Sequence, residues 1–273
     1  MLRRTEGIVL KTFPFGEADL IVAFLTSSYG LMKVFAKSPR KIRSRFGSSL
    51  EPLTCSRVSF WGKEDAALPR LTQADIISSF QTIRDDLRVF LTVSEIVELT
   101  HVLIAEKDMN VRPYPLMYKT LCAIREALQE MHEDSARSRT VEANTHGRQR
   151  ALNAVHVLVS HYKVKFLECA GFAPKLDACG RCGEKGSRFY VSQGAVLCGS
   201  CTRGADTPVE IPAGMRKLYE DLLLWDTEKV QRIKPSQSLL AGLAEILSMH
   251  VKYILSKPLK TRDFLCSSGK SFQ

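Results

Sequence analysis

The sequence predicts an α+β protein of several domains: a small N-terminal antiparallel β-barrel, a helical domain, and a four-cysteine module inserted into the helical part. Three observations predict it. Short β-branched and aromatic runs, separated by turn residues, fill residues 1–80. After Phe80 apolar residues recur by threes and fours. Between Cys179 and Cys201 two CxxC pairs stand 15 residues apart. The expected division is 1–80 for the barrel and 81–273 for the helical domain, with the cysteine module at about 175–205.

The strands come first. GIVLKTF (7–13), LIVAFLT (20–26) and LMKVFA (31–36) are broken by Pro14 and Gly16, then by Ser27, Ser28 and Gly30. CSRVSFW (55–61) alternates, with Val58 and Phe60 on the opposite pleat face to Arg57 and Ser59. LTQADIISSF (71–80) reads as a fifth strand. So many strands with no helix between most of them suggest closure into a barrel.

The helices follow. Leu87, Phe90, Leu91, Ile96, Val97, Leu99 and Val102 give a helical face to residues 84–106, and Met117, Leu121, Ile124 and Leu128 to 114–128. EMHEDSARSRTVEANTHGRQR (130–150) is polar and reads as a surface loop. A third helix is expected from about Gln149 to Ala170, with Leu152, Val155, Leu158, Val159, Tyr162, Phe166 and Leu167 buried and Gly171 just past its end. Two more follow the cysteines: Ala213 to Leu224 after Pro212, and Leu239 to Leu255 before Pro258.

A chain of 273 residues, 45% of them apolar, is long enough for a sizeable core. The run LIVAFL is far too short to span a bilayer, and MLRRTEGIVLKTF has no apolar stretch or cleavage site of a signal peptide. A soluble cytoplasmic protein with no membrane partner is expected. The net charge of +10 favours polyanionic partners, nucleic acid before anionic membrane, although many basic proteins bind neither.

Eight cysteines in a long chain without a signal peptide point to metal or redox chemistry rather than disulfides. The spacing Cys179-x2-Cys182-x15-Cys198-x2-Cys201 fits a zinc ribbon. Each CxxC turn brings two thiolates to one side of a tight loop, and Gly180, Gly183 and Gly199 let backbone N–H groups turn toward sulfur. Phe189, Tyr190 and Val191, then Ala195 to Leu197 with Gly194 at the bend, supply a hairpin to join the two knuckles. Four thiolates close a tetrahedral site with no open position, so one structural zinc is expected rather than a hydrolytic centre. A redox role would need a low-pKa cysteine between a strand and a helix, and plain thiol packing is the remaining alternative. Cys55, Cys122, Cys169 and Cys266 lack partner spacing.

Charge placement is more telling than its sum. Residues 1–70 hold 12 Lys and Arg against 6 Asp and Glu. KSPRKIRSR (37–45) concentrates Lys37, Arg40, Lys41, Arg43 and Arg45 with no acid, between a strand and the GSS at 47–49. Such a loop beside the open face of a barrel can track phosphates. Phe46 and Trp61 are candidates for base stacking, whereas Phe35 and Phe60 read as core. Lys175, Arg181, Lys185 and Arg188 leave open a secondary DNA or partner contact at the first knuckle.

Catalytic motifs are missing, and no catalytic residue is assigned. There is no GxSxG, HExxH or GxGxxG. Gly269, Lys270 and Ser271 mimic the tail of a P-loop, but Phe264 stands where its first glycine belongs and the chain ends before a helix could follow. His156 and His161, five residues apart on one helix, point about 140° apart. Asp85 and Asp86 read as helix N-terminal charge.

In this order and spacing, EGIVLKTFPFGEADLIVAFLTSSYGLMKVFAKSPRK, FLECAGFAPKLDACGRCG and KPLKTRDFL resemble the RecO family of bacterial recombination mediators, over nearly the whole chain. The resemblance implies an N-terminal OB-fold, a helical domain and a zinc module. It implies binding of single- and double-stranded DNA, annealing of complementary strands without ATP, and a nucleoid-associated place in the cytoplasm. It also implies partnership with RecR, with the C-terminal tail of SSB and with RecF, so that RecA loads on SSB-coated DNA. It carries DNA contact only to the basic loop, and no motif assigns residues to an SSB-tail pocket. The rival reading is a zinc-ribbon adaptor that binds RNA or proteins in transcription or translation.

Overall fold

The computed structural model describes residues 1–41, 44–63, 66–106, 108, 110–137, 141–202, 207–262 and 264. Cys266 and the Gly269–Ser271 stretch lie outside them.

Five strands form a closed barrel in the order β1-β2-β3-β5-β4: β1 Leu2–Phe15, β2 Asp19–Thr26, β3 Gly30–Ala36, β4 Cys55–Trp61 and β5 Arg70–Ser78. β1 is long enough to serve both sides. Its first half pairs with β4 and its second half with β2, and the register shifts between Val9 and Lys11. Such a bulge bends a strand and lets it turn a barrel corner. β3 and β5 meet in parallel at Phe35 and Arg70, which closes the ring. Val9, Val22, Phe24, Val34, Val58 and Leu71 fill the interior, and Phe46 and Leu50 from the β3–β4 connection pack with them.

The chain forms two compact units, Met1–Phe90 with Val97–Arg125, and Leu91–Ile96 with Glu126–Gln273. The barrel's unit also holds the short α1 (Gln81–Asp85), most of α2 (Leu87–Leu103) and the first half of α3 (Pro113–Arg137). Asp86 caps α2 by accepting from the Arg88 and Val89 N–H groups, a sharper role than general N-terminal charge. The Tyr114 hydroxyl of α3 lies 3.3 Å from Glu6 Oε2 and 3.6 Å from the Cys55 sulfur. Phe80 and Tyr118 meet edge to face at 6.0 Å, and Arg125 donates to Ser78 Oγ at 3.1 Å. Burial pushes the Cys55 thiol up to about 11, so it is a protonated core group.

The second unit is built on α4 (Val141–Cys169), with α5 (Ala213–Leu224), the short α6 (Thr227–Val230) and α7 (Gln237–Leu255). The described residues of the expected 130–150 loop are helical. α3 runs on to Arg137 and α4 starts at Val141, because the stretch is rich in Glu, Ala and Arg and has no proline. At 131–134 and 145–150 polarity marks mostly solvent-facing helix. α4 ends as its sequence predicts. Gly171 has φ +79°, the Phe172 N–H bonds to Leu167 O at 2.8 Å, and the Gly171 N–H bonds to Glu168 O at 3.1 Å. This is a Schellman cap, which satisfies two carbonyls the helix leaves open.

Among the described helices α7 is long and apolar enough, by composition alone, to cross a membrane. It nevertheless carries Glu245, His250 and Lys252, and buries Leu240, Leu243, Ile246, Leu247 and Val251 on one side, as a packing helix does.

Candidate metal centre and nucleic-acid surface

The cysteine module hangs on a three-stranded sheet ordered β7-β6-β8: β6 Arg188–Tyr190, β7 Ala195–Leu197 and β8 Val209–Glu210. The β6–β7 hairpin turns at Gly194, whose φ is +58°. The Lys175 N–H bonds to Gly194 O and the Val196 N–H to Lys175 O, both at 2.9 Å, so the chain entering the module is stitched to the hairpin. The Gly180 N–H then bonds to Val196 O at 2.9 Å. That bond sets the first knuckle against the second, which follows β7 directly.

The result is one cluster. The Cys179, Cys182, Cys198 and Cys201 sulfurs all lie within 4.8 Å of one another, and the Cys182 and Cys198 sulfurs are 3.5 Å apart. Cys179 is pulled down from an ordinary thiol by N–H groups of Cys198, Cys182 and Arg181 that bond to its sulfur, and Cys198 by the hydroxyl of Ser200. In Cys182 the Glu184 N–H acts the same way, but hydrogen bonds with the thiols of Cys198, Cys179 and Cys201 outweigh it and push the group up. A divalent cation would hold all four as thiolates, and this all-sulfur, closed donor set suits a soft, tetrahedral ion.

Glycines make the packing possible, though not all those expected. A Cβ on Gly180 would lie 2.6 Å from Ala195 Cβ, and one on Gly186 2.7 Å from Leu197 O. Gly183 needs its φ of +81°. Gly199 has open space around it, so the role read for it is not required. Among the cations around the first knuckle, Arg188 is tied to Glu210 at 2.9 Å, and Arg181 donates to Cys201 O at 2.8 Å and Gln193 Oε1 at 3.1 Å. Both brace the module. Lys175 and Lys185 remain exposed.

On the barrel, the basic loop leaves β3 through Ser38, which has φ +57°. The Ser38 N–H bonds to Asp19 Oδ1 at 2.6 Å and the Arg40 N–H to Ala18 O at 3.3 Å, which pins the loop's base to the β1–β2 turn. Lys37, Arg40, Lys41 and Arg45 are exposed and make no ion pair among the described residues. Arg43 lies outside the described residues. Phe46, expected as a stacking ring, is only 3% exposed and belongs to the barrel core. A ring so buried offers no face to a base. It anchors the loop, and the Arg45 guanidinium covers it at 4.8 Å. Trp61, by contrast, is 61% exposed.

A feature missed in the sequence joins Trp61 to the loop. Leu2 pairs with Trp61, Trp61 with Arg70, and Arg70 with Phe35, so these four stand in one row on the outside of the barrel, where Phe35, expected in the core, is half-buried. Phe35 meets Phe15 edge to face at 5.7 Å, and Phe15 is 52% exposed. The row thus runs Leu2, Trp61, Arg70, Phe35, Phe15, and ends beside the strand that feeds the basic loop. Outward parity on β1, β4 and β5 was the available signal. Only the cross-strand register, which no single segment reveals, lines the residues up.

Comparison with known proteins bears on both regions. The family pattern for the recombination protein O N terminal matches residues 1–80, and that for its C terminal matches 149–263. The DNA repair protein RecO of Thermodesulfovibrio yellowstonii is 35% identical over 257 residues, 92% of each chain. The chain belongs to the RecO family. RecO proteins of Syntrophus aciditrophicus and Symbiobacterium thermophilum are 29% and 26% identical, each over 270 residues and at least 94% of either chain. The fold class read from the sequence holds: a five-stranded, OB-like barrel, helices, and a four-cysteine cluster toward the C-terminus. The chain is a RecO-family DNA repair protein with a potential metal site of four cysteines.

Proposed function

We propose that this protein is a recombination mediator that works by holding DNA and not by breaking bonds. It binds single- and double-stranded DNA and anneals complementary strands without ATP. With RecR, and with RecF as a further partner, it engages the C-terminal tail of SSB and helps RecA load on SSB-coated single strands. Residues 1–80 act as the DNA-binding domain, and 81–273 as the helical domain that carries the cysteine module.

The observation that carries this reading is the acid-free loop of Lys37, Arg40, Lys41, Arg43 and Arg45 beside the exposed row of Trp61, Arg70 and Phe15. Lys37, Arg40, Lys41 and Arg45 make no ion pair among the described residues that would have to break before they meet phosphate, and each phosphate contact releases counterions. Flat rings next to them accept bases of any sequence. Annealing then follows from screening: two strands that repel in solution share one cationic surface, and base pairing supplies the driving force. Zinc at Cys179, Cys182, Cys198 and Cys201 is the proposed metal, one per chain, and it closes the module without taking part in chemistry.

The test is annealing of complementary single strands coated with SSB, with and without RecR, in the absence of nucleotide. Acceleration by the protein supports the reading. No acceleration on DNA, together with tight binding of structured RNA, supports the adaptor reading instead.

A further inference from the structure

The four cysteines offer one sulfur each but differ in exposure. Cys179 is 0% exposed and packs with Tyr190 and Leu197. Cys198 and Cys201 are half-buried, and Cys182 is exposed. A small oxidant arriving from solution therefore meets Cys182 first. The Cys198 sulfur, on the opposite knuckle, lies 3.5 Å from that of Cys182.

We propose that Cys182 is a modification site for hydroperoxides, and that Cys198 resolves the product into a disulfide between the two knuckles. Cys182 gives up its thiol proton, its sulfur attacks one peroxide oxygen, the O–O bond breaks, and the departing hydroxide takes a proton to become water. Cys182 is then a sulfenic acid. The Cys198 thiolate attacks that sulfur, the S–O bond breaks, and a second hydroxide leaves and is protonated. Two thiolates have lost two electrons in all, and one peroxide and two protons have become two waters. A metal held by the four sulfurs loses two ligands in this step and is released.

The cross-knuckle choice has a structural consequence. A bond within one CxxC pair would leave the other knuckle loose. A Cys182–Cys198 bond spans the hairpin, so it replaces the metal's crosslink with a covalent one. The oxidised module should keep its fold while the metal leaves, unlike reduced protein stripped by a chelator. The modification site rests on the sulfur geometry, and only the metal-release readout rests on a metal being bound.

The experiment uses the full chain, freshly reduced and titrated stepwise with hydrogen peroxide. Remaining thiols are alkylated, disulfide peptides are mapped by mass spectrometry, and a chromogenic chelator reads released metal. The expected result is a Cys182–Cys198 linked peptide appearing first, rising in step with one metal released per chain, with far-UV circular dichroism unchanged. First products joining Cys179 to Cys182, Cys198 to Cys201 or Cys182 to Cys201, or prior oxidation of Cys55 or Cys122, would overturn the proposal. In C198S, dimedone should trap Cys182 as the sulfenic acid, and failure to trap it in folded protein counts against Cys182 as the first site. If that variant does not fold, the mapping on the unaltered chain decides alone. A Cys182–Cys198 product from protein that never held metal keeps the modification site and removes the zinc reading.

Discussion

Lys163 on α4 is 5% exposed, and its Nζ lies 2.7 Å from Glu95 Oε1, with Arg262 Nη1 at 3.7 Å from the same oxygen. Burial lowers the Lys163 pKa while the Glu95 carboxylate pulls it back up. A buried pair adds little net stability, but removing Lys163 leaves the buried Glu95 with only the longer contact to Arg262, which costs up to about 3 kcal/mol. Lys163→Met should therefore lower the urea midpoint severely, and the double change Lys163→Met with Glu95→Leu should recover most of the loss. A single variant as stable as the parent would show that water reaches this pair. His161 and His250 give a second residue-scale test. Each bonds a carbonyl: His161 Nδ1 lies 2.9 Å from Leu222 O, and His250 Nε2 lies 2.8 Å from Phe172 O. Desolvation lowers both below the ordinary 6.5 despite those bonds. The folded state thus prefers neutral rings, while the unfolded chain takes up protons near 6.5. Stability is fully present above that pH and is lost as pH falls through the lower folded values. The urea midpoint should drop between pH 7 and pH 5.5, and His161→Gln should make that slope shallower.

At the scale of elements, the module's glycines separate steric need from habit. Gly186→Ala drives a methyl into the backbone of Leu197, which belongs to β7 and cannot swing away. Gly199→Ala meets nothing and has no positive φ. Metal content and melting temperature should fall sharply in the first and stay near the parent in the second. Gly183→Ala should lie between, at about 1–2 kcal/mol, because only its left-handed backbone is strained. The same contrast explains what could be read from the chain alone. Strands β1 to β5, the Gly171 helix stop and the cysteine pairing are written in local periods and spacings. The polar 130–150 stretch misled because solvent-facing helix and loop share a composition, and the helix is recognised only by the absence of proline and by its helix-forming residues. Phe46 misled because its burial depends on the loop folding back under the barrel, which neighbouring residues do not encode. The row from Leu2 to Phe15 needed the register of four strands at once.

For the whole molecule, the proposed DNA surface has an electrostatic signature that stability measurements would not show. Five cations on one loop that each neutralise a phosphate of a single strand give a salt slope of about −3.5 in log K against log salt. Replacing Lys37, Arg40, Lys41, Arg43 and Arg45 by Ala should reduce the slope by up to about that amount and weaken binding most at low salt. Metal content and unfolding should not change, because the loop's anchors are Ser38, Arg40 N–H and the buried Phe46 ring, all of which persist or act through the backbone. Trp61→Ala should behave differently. It removes a stacking ring and no charge, so affinity should fall by about 1–3 kcal/mol at every salt concentration while the slope holds. Arg70→Ala should show both effects, since its strand position pairs with both Trp61 and Phe35 and its side chain carries one charge. Titrations of a labelled single strand at four salt concentrations separate the three patterns. Parallel lines for the loop variant would remove the loop from the DNA path. A changed slope for Trp61→Ala would mean the ring orders nearby cations instead of stacking on bases.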